Sequence, residues 1–136
     1  MIREIHLTNE LSQLIKLGDF VHLTAEEFGL DEKLCMRLKL ALEEAVTNII
    51  QYGYRNEKNK EIQVCLKKES NCLFITIIDE GFPFDPTEKE APDTTSSAEE
   101  RPIGGLGIYL IKEIMTEVKY TREEGKNVLM MIKNLR

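Results

Sequence analysis

Two runs of alternating apolar and polar residues, 61–68 and 72–79, are separated only by Glu69-Ser70-Asn71. Side chains with a period of two line opposite faces of a strand, and three turn-forming residues leave room only for a hairpin. A second pair, Glu117 to Arg122 and Val128 to Lys133, repeats the arrangement around Glu124-Gly125-Lys126. Residues 2–7 read as a further short strand. A helix is expected from Asn9 to about Phe28, with Thr8 or Asn9 as its cap and Gly29 as its stop. A second helix begins at the cap Asp31 and runs to about Gln51, ended by Gly53. A third spans Gly105 to Met115, with Ile108, Ile111 and Met115 as its core residues. Hairpins with helices between them predict an α+β domain of two layers, with helices on one face of a largely antiparallel sheet.

A chain of 136 residues suits one domain with an adequate core. It carries 18 basic against 24 acidic residues, a net charge of −6. That sign argues against a nucleic-acid partner, which usually leaves a basic surplus. No window approaches the roughly 20 apolar residues of a membrane helix, and Met1 to His6 lacks the apolar stretch of a secretory signal. The expectation is a cytoplasmic protein without membrane contact. Cys35, Cys65 and Cys72 form an odd set without a C-x-x-C pair, and read as reduced thiols in or near the core. His6 and His22 read as surface or packing residues.

All four prolines fall between Phe82 and Pro102, with the polar run Asp93-Thr94-Thr95-Ser96-Ser97. Six acidic residues against two basic ones place −4 of the total charge in that segment. A stretch of this length without elements of its own is a functional lid or a linker. Strong motifs stand on both sides of it, which favours the lid.

Three constellations flank that segment. On the second helix, Leu38, Leu42, Ala45 and Ile49 form the expected buried stripe. Glu44 and Asn48 stand one turn apart on its flank, with Ala41 and Tyr52 at its edge. The pair suits either a solvated helix face or a base beside an oxygen ligand for a hard cation such as Mg²⁺. Next, Leu73, Ile75, Ile77 and Asp79 share one face of a strand that runs into Glu80-Gly81. A carboxylate ending an apolar row is costly to bury without partners and suits an exocyclic amine, with Gly81 allowing close approach of a flat ligand; a plain turn explains it as well. Last, Gly104-Gly105-Leu106-Gly107 opens the third helix. Free amides at a helix start bind phosphate, yet the run is neither a Walker A loop nor a dinucleotide fingerprint, and a glycine hinge is the other reading.

In order and spacing these three runs resemble the N, G1 and G2 boxes of the GHKL superfamily of ATP-binding domains, which share the Bergerat fold. The match extends from about Asp31 to the C-terminus. Glu44-Ala45-Val46-Thr47-Asn48, Asp79-Glu80-Gly81 and Gly104-Gly105-Leu106-Gly107 look most like the small anti-sigma-factor serine kinases, the RsbW-like branch. The resemblance implies one histidine-kinase-like ATPase domain over residues 1–136, a mixed, mainly antiparallel sheet, and an ATP lid over 82–102. It implies ATP and Mg²⁺ as cofactors. Asn48 would hold the metal, and Glu44 would orient or deprotonate the serine hydroxyl of a protein substrate. Asp79 would accept from the adenine amine beside Gly81. Gly104, Gly105, Leu106 and Gly107 would form the phosphate box, and Arg101 would add positive potential. The implied partners are a STAS-type anti-anti-sigma protein, a sigma factor and a second copy of the chain. A sequestering module that binds ATP with little or no transfer is the other function the family offers.

Two departures stand out. Gln51-Tyr52-Gly53-Tyr54 replaces the His-Gly that often follows the N box, so Tyr52 reads as packing or as adenine-pocket wall. Gly125-Lys126-Asn127 replaces a frequent Gly-Thr pair, so Asn127 is expected to take over the threonine's hydrogen bond.

Overall fold

The computed structural model describes residues 1–54, 57–83 and 105–135, with 105–109 described by their backbone alone. Strand β1 (Ile2–Thr8) is followed by helices α1 (Gln13–Phe28) and α2 (Glu32–Asn48), a π-helical turn (Ile49–Gly53), and strands β2 (Glu61–Glu69) and β3 (Cys72–Asp79). Helix α3 (Gly105–Ile114) and strands β4 (Glu117–Glu123) and β5 (Lys126–Asn134) complete the described chain. The alternating runs become hairpins where the sequence places them. In the second, Glu124 and Gly125 have φ of 49° and 79°. Two consecutive positive φ values match the twist of the strands a two-residue turn joins.

The five described strands lie in the order β1-β2-β3-β5-β4, and every pairing is antiparallel. β5 inserts between β3 and β4, which sets Asn127 opposite Asp79 across one ladder and Arg122 opposite Asn127 across the next.

Helix α1 starts later than its expected caps. Asn9 is occupied elsewhere: its Oδ1 accepts from the Lys60 amide at 2.9 Å and its Nδ2 donates to the Glu57 carbonyl at 2.6 Å. A side chain that ties two loops together is not available to cap a helix. Gly29 does end α1, at φ 70°. Asp31 does cap α2, accepting from the Leu34 amide at 2.7 Å.

Helix α2 packs against both α1 and α3. Its stripe of Leu38, Leu42 and Ala45 is buried, with Ile49 half-buried at its edge. These side chains form one core with Leu17, Val21 and Ile111 of the other helices and with Val64, Leu66, Ile75, Ile77 and Met131 of the sheet. Burial of each large aliphatic side chain contributes about 1.5–3 kcal/mol. Ile111 and Met115 are buried as expected, and the Ile108 side chain lies outside the described residues. No described helix is long and apolar enough to cross a membrane. The three cysteines are free and half-buried, and burial pushes the Cys35 and Cys65 thiols up. His6 is exposed, bonded to Glu61 and Glu4, whose hydrogen bonds raise its pKa.

Candidate functional site

The apolar row of β3 ends in Asp79, which is 5% exposed. Burial pushes its carboxyl up; hydrogen bonds from Asn127 and Gly81, and the Arg122 charge, pull it back. Both described donors go to one oxygen: Oδ1 accepts from the Gly81 amide at 2.8 Å and from Asn127 Nδ2 at 2.9 Å. Oδ2 takes neither. A carboxylate held in this way presents an acceptor edge and fits a ligand that donates.

The chain beyond Asp79 is fastened on two sides. Phe82 N–H donates to the Gly53 carbonyl at 2.9 Å, and the Phe82 carbonyl accepts from Asn127 Nδ2 at 2.9 Å. Arg122 donates to the Gly81 carbonyl at 2.7 Å. Tyr54, buried just after the π-helical turn, accepts from the Glu80 amide at 2.8 Å and donates to the Glu61 carbonyl at 2.7 Å. Burial pushes its phenol up to about 12. The end of the α2 extension is thereby bonded to the exit of β3, which fixes the distance between the two motifs.

Gly81 sits at this contact, and the structure gives it a reason of its own. A Cβ there would lie 2.5 Å from the Gly53 carbonyl oxygen and 2.8 Å from its carbon. Both atoms are backbone, so the contact has to open. Gly81→Ala is expected to cost about 1–3 kcal/mol, the range for overpacking. Urea unfolding measures it; a loss below about 0.5 kcal/mol, within the scatter of neutral surface changes, would show that the contact yields freely.

Asn48 lies on α2 and is 7% exposed, and its Nδ2 has no hydrogen-bond partner among the described residues. A buried amide nitrogen left unpaired costs about 1–3 kcal/mol, and such a group calls for an explanation. Glu44, one turn earlier, is half-buried. The unpaired atom is a donor, so it fits a phosphate oxygen or a water of a hydrated cation; the carboxamide oxygen is the end that suits the hard cation itself, since Mg²⁺ takes few protein oxygens and keeps its waters.

Gly105 and Gly107 lie in the first turn of α3, where backbone amides lack partners within the helix. Arg101, Gly104, the Leu106 side chain and 84–102 of the expected lid lie outside the described residues. The first two lid residues, Phe82 and Pro83, are described and exposed. Tyr52 is 38% exposed. Together with Gln51, Asn9 and Lys58 it lines an open cavity of about 700 Å³. A smaller one, of about 210 Å³, lies over Glu80, Gly81, Phe82 and Arg122, and Glu57 borders both.

The structure therefore brings Asp79, Gly81 and Asn127 together at one end of the sheet and keeps Glu44 and Asn48 one turn apart on α2. Sequence reasoning did not find Tyr54, Tyr120 or Arg122. Their places follow from the insertion of β5 between β3 and β4 and from the π-helical turn, neither of which has a local signature.

A family model for the histidine kinase-like ATPase domain matches residues 7–133. The serine-protein kinase RsbW of Bacillus subtilis is 35% identical over 97 residues, 68% of this chain and 61% of that protein. RsbW of Listeria monocytogenes is 34% identical over 110 residues, 78% of this chain and 70% of that protein. The chain thus spans only 61% of the Bacillus relative's length. Among solved structures, the RsbU and RsbW domains of a Mycobacterium tuberculosis protein share the fold with a TM-score of 0.69 at 13% identity, over 98% of this chain and 32% of that one. The histidine kinase domain of a blue-light activated kinase from Erythrobacter litoralis aligns with a TM-score of 0.59 at 17% identity, over 88% of this chain and 61% of that one. With a family model that matches nearly its whole length and RsbW relatives about a third identical to it, the chain belongs to the histidine kinase-like ATPase domain family, in the branch of the RsbW serine-protein kinases.

Proposed function

We propose that this chain is an ATP-binding serine/threonine-protein kinase of the anti-sigma-factor type. It phosphorylates a serine of a STAS-type anti-anti-sigma protein and holds a sigma factor when that partner is absent, in the cytoplasm and as a homodimer. Residues 1–136 serve as one nucleotide-binding domain with 82–102 as its lid. The observation that carries the reading is the buried Asp79, which ends an apolar row with Oδ1 committed to two protein donors. Kinship with the RsbW kinases supports the transfer to serine.

In this reading the adenine amine donates to Asp79 beside Gly81. Asn48 would hold magnesium, which would supply charge neutralisation on the phosphates. Gly104, Gly105, Leu106 and Gly107 form the phosphate box at the start of α3, with Arg101 nearby. Phosphoryl transfer depends on positioning and charge neutralisation more than on covalent help from the protein. Glu44 orients the acceptor serine and takes its hydroxyl proton as the oxygen bonds to the transferred phosphorus and ADP leaves.

The test is a pull-down with the chain in ATP and in ADP, followed by transfer of radiolabelled phosphate to the captured partner. Label on a serine or threonine of a small partner, with capture that differs between the nucleotides, is the expected result. Nucleotide-dependent capture with no label on any partner would replace the kinase with the sequestering function.

A further inference from the structure

The Asn127 carboxamide sits between two residues that no motif joins. On one side its nitrogen lies 2.9 Å from Asp79 Oδ1, 2.9 Å from the Phe82 carbonyl and 3.4 Å from the Gly81 carbonyl. Three acceptors on one side of a planar amide identify that end as the donor. On the other side its oxygen accepts from the Tyr120 hydroxyl. Tyr120 belongs to β4, at the edge of the sheet, and pairs with Leu129 rather than with Asn127. It is reached only through the fold.

We infer that Tyr120 is a positioning residue for nucleotide recognition: by donating to Asn127 it holds the amide nitrogen against Asp79, and so keeps one carboxylate oxygen engaged and the other presented to a donor on the ligand. The inference rests on Asp79 being the nucleotide's acceptor, as proposed above.

Without the phenolic hydroxyl the amide has two unfavourable choices. Kept as it is, its oxygen loses its described donor in a buried place. Turned over, it sets that oxygen against a buried carboxylate. The second choice removes a donor on which Asp79 depends, because burial already works against its charge. Among the described residues, Arg122 on β4 is the cation that acts on Asp79, and Lys126 on β5 lies 4.0 Å from Glu80. Glu80, Glu61 and the Tyr54 phenol supply no positive charge. Nucleotide affinity should therefore fall as pH drops through the Asp79 titration, and loss of the Asn127 donor should move that fall to higher pH.

Binding of ADP and of inosine diphosphate to the wild type and to Tyr120→Phe, by calorimetry from about pH 5 to about pH 9, tests this. The wild type should prefer ADP, because the inosine base carries an acceptor where adenine carries the amine. Tyr120→Phe should bind ADP about tenfold more weakly near neutral pH, a loss in the range for a hydrogen bond to a charged group. Its acid limb should be displaced upward. A wild type that binds both nucleotides equally would remove the reading of Asp79 itself. A wild type that discriminates, with a variant whose acid limb does not move, would overturn the role of Tyr120 alone, whatever happens to overall affinity. If Tyr120→Phe does not fold, Asn127→Leu removes the same donor and should show the same displacement; an unmoved limb there overturns the inference equally.

Discussion

Asp79→Asn is expected to abolish adenine-nucleotide binding while leaving the empty protein folded and more stable at neutral pH. The two effects share a cause. An asparagine can keep its oxygen toward the Gly81 amide and Asn127 Nδ2, which hold that position at 2.8 Å and 2.9 Å. Its NH₂ then occupies the place of the carboxylate's second oxygen and faces the adenine amine donor to donor. Loss of a charged hydrogen bond costs about 1.5–3 kcal/mol, and the mismatch adds to it, so affinity should fall by about a hundredfold or more. The stability gain follows from the titration. Burial raises the Asp79 pKa above its unfolded value. The folded state therefore binds the proton more readily than the unfolded one, and stability is lost as pH rises through the folded pKa. At neutral pH the ionised carboxylate is a cost to the empty protein, and asparagine removes it. Chemical unfolding without nucleotide should give a higher midpoint for the variant near pH 7.5, with the advantage shrinking as pH falls. Calorimetry that found ADP affinity unchanged would remove Asp79 from the nucleotide site. A variant destabilised at neutral pH would instead mean that the carboxylate holds the loop it bonds.

The contrast between what the sequence discloses and what it conceals has a physical reason. Period-two alternation and a two-residue turn are local, so β2, β3, β4 and β5 are legible within a residue or two of their ends. Asp31 and Gly29 act through a single turn of backbone and are legible for the same reason. Asn9 is the opposite case, since its carboxamide bonds to Lys60 and Glu57 about fifty residues away, and tertiary partners overrode a good local cap. The π-helical turn after Asn48 was also hidden, because five residues are too few to separate an i→i+5 pattern from an α-helical one. It matters for the site: its last residue, Gly53, receives the Phe82 amide, and the adjacent Tyr54 bonds to Glu80. Of the candidate site, Glu44, Asn48, Asp79 and the glycine box are runs along the chain and could be picked out by spacing. Asn127 was foreseen only through a departure from the superfamily pattern. Tyr120 and Arg122 depend on strand order, which composition and periodicity do not encode.

Glu44→Ala separates binding from transfer. Glu44 is half-buried on α2, one turn before Asn48, and none of the described hydrogen bonds of Asp79 involves it. Alanine is the best helix former, so the substitution leaves α2 intact. Nucleotide affinity should stay within about threefold, a change of less than 1 kcal/mol. Transfer should fall by about 10²- to 10⁴-fold, the usual contribution of a positioned general base. Glu44→Gln refines the result: it keeps a hydrogen-bonding side chain of the same length that cannot take a proton. If orientation of the serine were the main contribution, the glutamine variant would recover most of the rate; if proton removal were, it would match alanine. Single-turnover transfer to the captured partner, measured beside ADP affinity, reads both quantities in the same preparations. An equal loss of nucleotide affinity in Glu44→Ala and Asp79→Asn would defeat this division of roles. Unimpaired transfer in Glu44→Ala would remove Glu44 from its catalytic role and leave transfer resting on positioning and charge neutralisation alone.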